Sequence, residues 1–196
     1  MERSRYYAEM IPHVLSVLDP VTPPNTTPVH GMHRRAAAFT LMRMVERSPT
    51  AVRASLDPVI GGVLLAKAAG AADVDRALRL LASAVLLAPP SADFIHFMVA
   101  PLALRLLKLD TFFESDPKAK VEAMSDEVRS RATQKNEVHE TLHIWLRLGT
   151  ATETAQAIST ALQAACTSDG TAWHDTNDGV EIVPEEYVTV LTQPSL

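Results

Sequence analysis

The sequence predicts an all-α chain built of repeated helix pairs. Three observations carry that reading. Apolar residues make up 47% and charged residues 21% of the 196, ordinary values for a packed core. Aromatics are only 5% while Ala and Leu abound, which favours close helix packing over a sheet. Three apolar stretches also carry an internal proline in matching position: Met10-Ile11-Pro12-His13-Val14-Leu15, Leu56-Asp57-Pro58-Val59-Ile60 and Val99-Ala100-Pro101-Leu102-Ala103. These prolines lie 46 and 43 residues apart, each followed by a second helical stretch. A period in the low-to-mid forties with two helices per period is the spacing of a HEAT- or armadillo-like α-solenoid, here about three and a half helix pairs. Such scaffolds usually hold other proteins.

The first helix is expected over Arg5–Leu18, with Tyr7, Ile11, Val14, Leu15 and Leu18 on one face. A mid-helix proline removes a hydrogen bond and bends the helix, so Pro12, Pro58 and Pro101 predict a shared kink in the first helix of each pair. Residues 20–32, with Pro20, Pro23, Pro24 and Pro28, read as a solvated linker. The second helix, Met32–Arg47, places Ala38, Leu41, Met42 and Val45 on one stripe. Ser48-Pro49 then caps and opens the third, Thr50–Ala66. Gly61-Gly62 inside it implies either a break or an unusually close neighbour, since glycine disfavours a helix by roughly 1 kcal/mol against alanine. No strand precedes it and no Gly-Lys-Ser/Thr follows, so it is not a phosphate loop.

Asp73 is expected to cap the fourth helix, Val74–Ala88, which is apolar almost all round and so covered on both sides. Pro89-Pro90 stops it and Ser91 caps the fifth, Asp93–Lys108. Residues 110–135 carry many charges of both signs and read as a solvated insertion or exposed helix. A sixth helix covers Lys135–Leu148, with Leu142, Trp145, Leu146 and Leu148 as its packed face. The capping box Thr150-Ala151-Thr152-Glu153 opens a seventh through Ala165. The seam between pairs is expected at Leu15, Leu18, Leu41, Val45, Leu64, Leu78, Leu81, Val85, Leu104 and Leu107. Residues 1–166 thus form the repeats. Residues 167–196 form a polar, turn-rich, poorly ordered tail with a helix turn near Glu185.

The net charge of −5 argues against nucleic acid, which needs a basic face. The most apolar run, Ala77–Ala88, is interrupted by Arg79 and stopped by Pro89-Pro90. It is too short for a span of roughly 20 apolar residues. No apolar leader with a small-residue cleavage site opens the chain. The lone Cys166 cannot form an internal disulfide, which suits a reducing compartment. With no His or Lys beside it to activate the thiol, it reads as structural.

One motif carries catalytic chemistry. His139-Glu140-Thr141-Leu142-His143 matches H-E-x-x-H on a predicted helix. Two imidazoles one turn apart can share zinc, and the glutamate can serve as general base. A catalytic site needs a third ligand. Leu146 and Gly149 stand where the extended motif has glycine and histidine, and residues 154–168 hold no acidic side chain. His139 and His143 are therefore read as surface residues, with a zinc-dependent hydrolase kept as a rival. No cofactor is expected. His33-Arg34-Arg35 is a basic cluster at a helix start, unfavourable for the dipole; Arg34 and Arg35 are the candidates for a partner contact.

The set Tyr6-Tyr7, Ile11-Pro12-His13-Val14-Leu15-Ser16-Val17-Leu18, Arg34-Arg35-Ala36-Ala37, Glu46-Arg47-Ser48-Pro49 and Leu56-Asp57-Pro58-Val59-Ile60 resembles the transport and Golgi organisation protein 6 family. That family includes the fungal factor required for nuclear transport of RNA polymerase II. The resemblance covers residues 6–108. It implies a long armadillo-like scaffold of which this chain is a piece, with no catalytic residues. It further implies a cytoplasmic factor, shuttling to the nucleus, that assembles or imports RNA polymerase II by binding polymerase subunits or transport factors. A generic HEAT-repeat adaptor in protein trafficking is the alternative. Binding would follow exposed residues along one helix row, Arg34 and Arg35 included.

Overall fold

All three internal prolines lie in helices, and each is accommodated differently. The structure is a computed structural model that describes residues 2–21, 27–115, 126–165, 170–176 and 179–185. Pro12 lies inside an unbroken helix, α1 (Glu2–Leu18), on its solvent side. Pro58 follows α3 (Pro49–Leu56) and widens the chain into a π-turn, Asp57–Gly61, before a short α4 (Gly62–Leu64). The Gly62 N–H donates to the Asp57 carbonyl across that turn. A Cβ on Gly62 would stand 2.7 Å from this same oxygen. The close neighbour expected at Gly61-Gly62 is thus the helix's own backbone, drawn in by the π-turn. Pro101 lies in a 3-10 turn, Ala100–Leu102, joining α6 (Ala92–Val99) to α7 (Ala103–Ser115). It has no N–H for the carbonyl four residues back, that of Phe97. Arg53 of α3 donates to that carbonyl instead, its guanidinium carbon 3.9 Å from the centre of the Phe97 ring. Burial holds the Arg53 pKa below its usual value, against the nearby charge of Asp57. One proline's missing donor thereby becomes a contact between α3 and α6.

The remaining helices are α2 (Gly31–Arg47), α5 (Ala71–Leu87), α8 (Asp126–Leu148) and α9 (Ala151–Ala165). α1 packs on α2 and on α3; α2 packs on α5, and α5 on α8; α6 and α7 pack on α8, and α7 on α9. Among the helix–helix contacts the most extensive is that of α5 with α8. One apolar core runs through them, from Tyr7 and Ile11 to Trp145. Among the described residues no helix is long and apolar enough to cross a membrane.

Capping follows local chemistry. Ser91 Oγ accepts from the Phe94 N–H at 3.4 Å, and Thr150 Oγ1 from that of Glu153 at 3.4 Å. Ser48 occupies the N-cap of α3 with Pro49 behind it, but its side chain makes no cap bond. Asp73 does not cap α5. The helix begins at Ala71 after Gly70, and Asp73 falls in its first turn, where a carboxylate still favours the dipole.

Of the expected seam, Leu15, Leu18, Leu41, Val45, Leu64, Leu78, Leu81 and Val85 are buried. Leu104 and Leu107 are only partly so; α7 buries Ala103, Leu106, Leu109 and Phe113 instead. The expectation carried α-helical phase through Pro101. Three residues of 3-10 helix rotate the following face by ~60° relative to α-helix. On α8 the packed row is Gln134, Val138, Thr141, Leu142 and Trp145, and Leu146 points to solvent.

The largest correction lies in the tail. Residues 171–176 and 179–184 are not poorly ordered coil. Thr171–Thr176 (β1) and Gly179–Pro184 (β2) form an antiparallel hairpin, pairing Trp173 with Ile182 and Thr176 with Gly179. Trp173, Val180 and Ile182 are buried, and β2 packs on α5 and α8. Ile182 also exchanges two backbone hydrogen bonds of 3.0 Å with Ala69, just before α5. Gly170, with φ +68°, takes the left-handed turn into β1 that a side chain disfavours. Of the helix turn expected near Glu185 only Glu185 itself is described; the residues after it, Cys166, and 116–125 of the charged insertion lie outside the described residues. The insertion's two ends belong to α7 and α8.

A half-buried polar seam borders the core between α5 and α8. Asp75 pairs with Arg79 and accepts 2.7 Å from Gln134 Nε2. Asp19, just after α1, lies 3.6 Å from Arg76 and 3.8 Å from Arg79. Glu137 stands beside this seam. Burial pushes its pKa up to about 6, while Arg79 pulls it down. The folded state therefore holds this proton where the unfolded chain has lost it. The resulting stability is complete below the ordinary value of 4.5 and is lost as pH rises through about 6. Above that, a charged Glu137 destabilises the fold by ~2 kcal/mol if unscreened, and ~1 kcal/mol once its partial access to water is counted. Glu137→Gln is expected to raise the urea midpoint at pH 7.5 and leave it unchanged at pH 4.5. A gain of equal size at both pH values would contradict the assignment.

Candidate functional site

Arg34 and Arg35 are neighbours in sequence and part company in space. The Arg34 guanidinium turns inward. Its Nε donates to the Leu18 carbonyl at the end of α1 (3.2 Å), and its terminal nitrogen to Ser83 Oγ on α5 (3.0 Å). Arg34, read from the sequence as an exposed partner contact, is instead a clasp holding α1, α2 and α5 together. Carbonyls at a helix C-terminus lack intrahelical donors, so a cation there is favourable. The unfavourable place of Arg34 at the start of α2 is offset by its place at the end of α1.

Arg35 follows ~100° further round α2 and faces solvent, with no ion pair or hydrogen bond among the described residues. It borders a groove of about 550 Å³ between α2 and the end of α5, lined also by Ala36, Phe39, Leu86, Leu87 and Pro89. Pro89-Pro90 ends α5, leaving Leu86 42% exposed on one wall. Phe39, 48% exposed, forms the other. Ala36 is too small to fill the space beside it. Met32, one turn before Ala36, is 71% exposed. Scattered exposed apolar side chains are normal, but contiguous ones mark a contact surface. The sequence carried a signal for this groove: Phe39 lies off the Ala38-Leu41-Met42-Val45 stripe, so a large aromatic was left on the open side of α2.

The H-E-x-x-H residues lie on the exposed face of α8. His139, Glu140 and His143 are all open to solvent, with His139 Nδ1 3.6 Å from Asp110 Oδ1. Among the described residues no group of three His, Cys, Asp or Glu side chains is placed to hold a metal. Asp169 and Asp178, acidic residues of the tail, lie outside the described residues. The helix places the two imidazoles one turn apart, and the packing of Val138, Thr141, Leu142 and Trp145 turns them away from the core.

A second depression, about 460 Å³, lies between the α6–α7 junction and α9, lined by His96, Pro101, Leu104, Glu153 and Gln156. Thr150 donates to the Glu153 carboxylate at 2.6 Å, so that group is engaged in the helix cap. No protein family, curated protein or solved structure matches the chain.

Proposed function

We propose that this chain is a HEAT/armadillo-like helical scaffold that binds another protein and performs no chemistry of its own. The observation that carries the reading is the open groove between α2 and α5, bordered by the exposed side chains of Phe39 and Leu86 and flanked by the unengaged Arg35. The order of helix packing supports a solenoid, since successive pairs meet counterpart to counterpart: α1 beside α3, α2 beside α5, α5 beside α8, α7 beside α9. Grooves between neighbouring second helices are where such scaffolds take their partners. The resemblance in residues 6–108 makes the partner an RNA polymerase II subunit or transport factor. The place of work is then the cytoplasm, with shuttling to the nucleus.

The test is direct capture. The immobilised chain is expected to retain at least one purified RNA polymerase II subunit. Phe39→Ser/Arg35→Glu is expected to release it, with the circular dichroism spectrum unchanged because both side chains are exposed. Retention of none removes the polymerase reading and leaves the adaptor of another trafficking pathway. Equal retention by wild type and variant places the contact elsewhere on the scaffold.

A further inference from the structure

We infer that the α2–α5 groove takes an acidic amphipathic helix, an inference that rests on the scaffold reading and names the chemistry of its partner. Two helix walls that carry the exposed side chains of Phe39 and Leu86 suit the apolar face of a third helix, which seats side chains spaced by three and four residues. Arg35, Phe39 and Arg43 follow one another at intervals of four on α2, so an exposed aromatic is flanked one turn either way by guanidinium groups. Arg43 pairs with Glu46; Arg35 has no partner among the described residues. With Arg34 turned inward, α2 still exposes Arg35, Arg43 and Arg47 against one glutamate, Glu46, in a chain whose net charge is −5. The face is therefore a local cationic stripe with an apolar centre. Its complement is a helix presenting an aliphatic anchor to Phe39, Leu86 and Pro89, with a carboxylate one turn away on Arg35. Desolvation beside the apolar wall strengthens that pair relative to an open surface.

The experiment measures fluorescence polarisation of two labelled helical peptides that share one leucine face. One carries glutamate flanking the anchor, and the other carries lysine there. The wild-type chain is expected to prefer the glutamate peptide. Arg35→Glu is expected to weaken it by about tenfold or more and to improve the lysine peptide, a charge swap that a merely sticky patch would not show. Phe39→Ser is expected to weaken both. Equal binding of the two peptides to wild type overturns the proposal. So does indifference to Arg35→Glu, effective competition by a single-stranded RNA oligonucleotide, or a chain dimer that Phe39→Ser dissolves. Loss of the charge preference with polymerase capture intact overturns the groove's ligand and leaves the scaffold. The charge swap without polymerase capture upholds the groove and removes the polymerase reading.

Discussion

Trp145→Ala is expected to destabilise the chain by about 3–5 kcal/mol, a large share of the roughly 5–15 kcal/mol that holds a domain folded. Trp145 is fully buried, 0% exposed, and is the largest such side chain among the described residues. It lies on α8, which packs against α5, α6 and α7. Removing the indole therefore opens a cavity shared by several helices, and such a site cannot collapse onto a single neighbour. Its Nε1 has no hydrogen-bond partner among the described residues. An unpaired buried donor itself destabilises by ~1–3 kcal/mol. Trp145→Phe keeps most of the ring and drops that donor, so it is expected to cost less than about 1.5 kcal/mol. Urea denaturation of both variants checks this. Similar large losses for Phe and Ala would mean that the indole N–H is satisfied and that its bond, not volume, holds the site.

Arg105→Ala is expected to cost about 3 kcal/mol, since hydrogen bonds from charged groups contribute ~1.5–3 kcal/mol each. Arg105 is a charged residue buried to 7% exposure on α7. Its guanidinium donates to Thr171 Oγ1 of β1 and, at 3.3 Å, to the Ala66 carbonyl after α4. An isolated two-stranded hairpin is marginal in water. This one persists through Trp173, Val180 and Ile182, the Ala69–Ile182 bonds and the Arg105 contacts. Loss of the guanidinium is expected to speed amide exchange across 171–183 more than in α1 or α2. Arg105→Lys, a single point charge in place of a planar fork, is expected to restore only part of the protection. Unchanged exchange in the hairpin would contradict the role given to Arg105.

Helices declared themselves in the sequence because each buries one stripe at a period near 3.6. Ile11, Leu18, Leu41, Leu64, Leu78 and Leu81 were legible for that reason. Leu104 and Leu107 were misplaced because a proline's local choice between α, π and 3-10 geometry does not show in hydrophobic spacing. Leu146 was misplaced because α8's buried row includes Gln134 and Thr141, polar residues that an apolar count skips. The hairpin was hidden by composition. Its signal, alternation of Trp173 with His174 and of Val180 and Ile182 with Glu181 around Asn177-Asp178-Gly179, is short and lies among turn residues. Half of the proposed partner site was legible. Arg34 and Arg35 look alike in sequence, and only the position of Leu18 and Ser83 sends one inward. Leu86 and Pro89 join Arg35 through tertiary packing alone.

The central claim, a protein-binding scaffold engaging its partner through the α2–α5 groove, is tested most directly by amide hydrogen exchange of the chain with and without a captured RNA polymerase II subunit. Added protection is expected over residues 31–39 and 83–88, with α8's exposed His139–His143 face unchanged. Protection confined to α8 or to the hairpin, or none anywhere on the chain, would contradict the account.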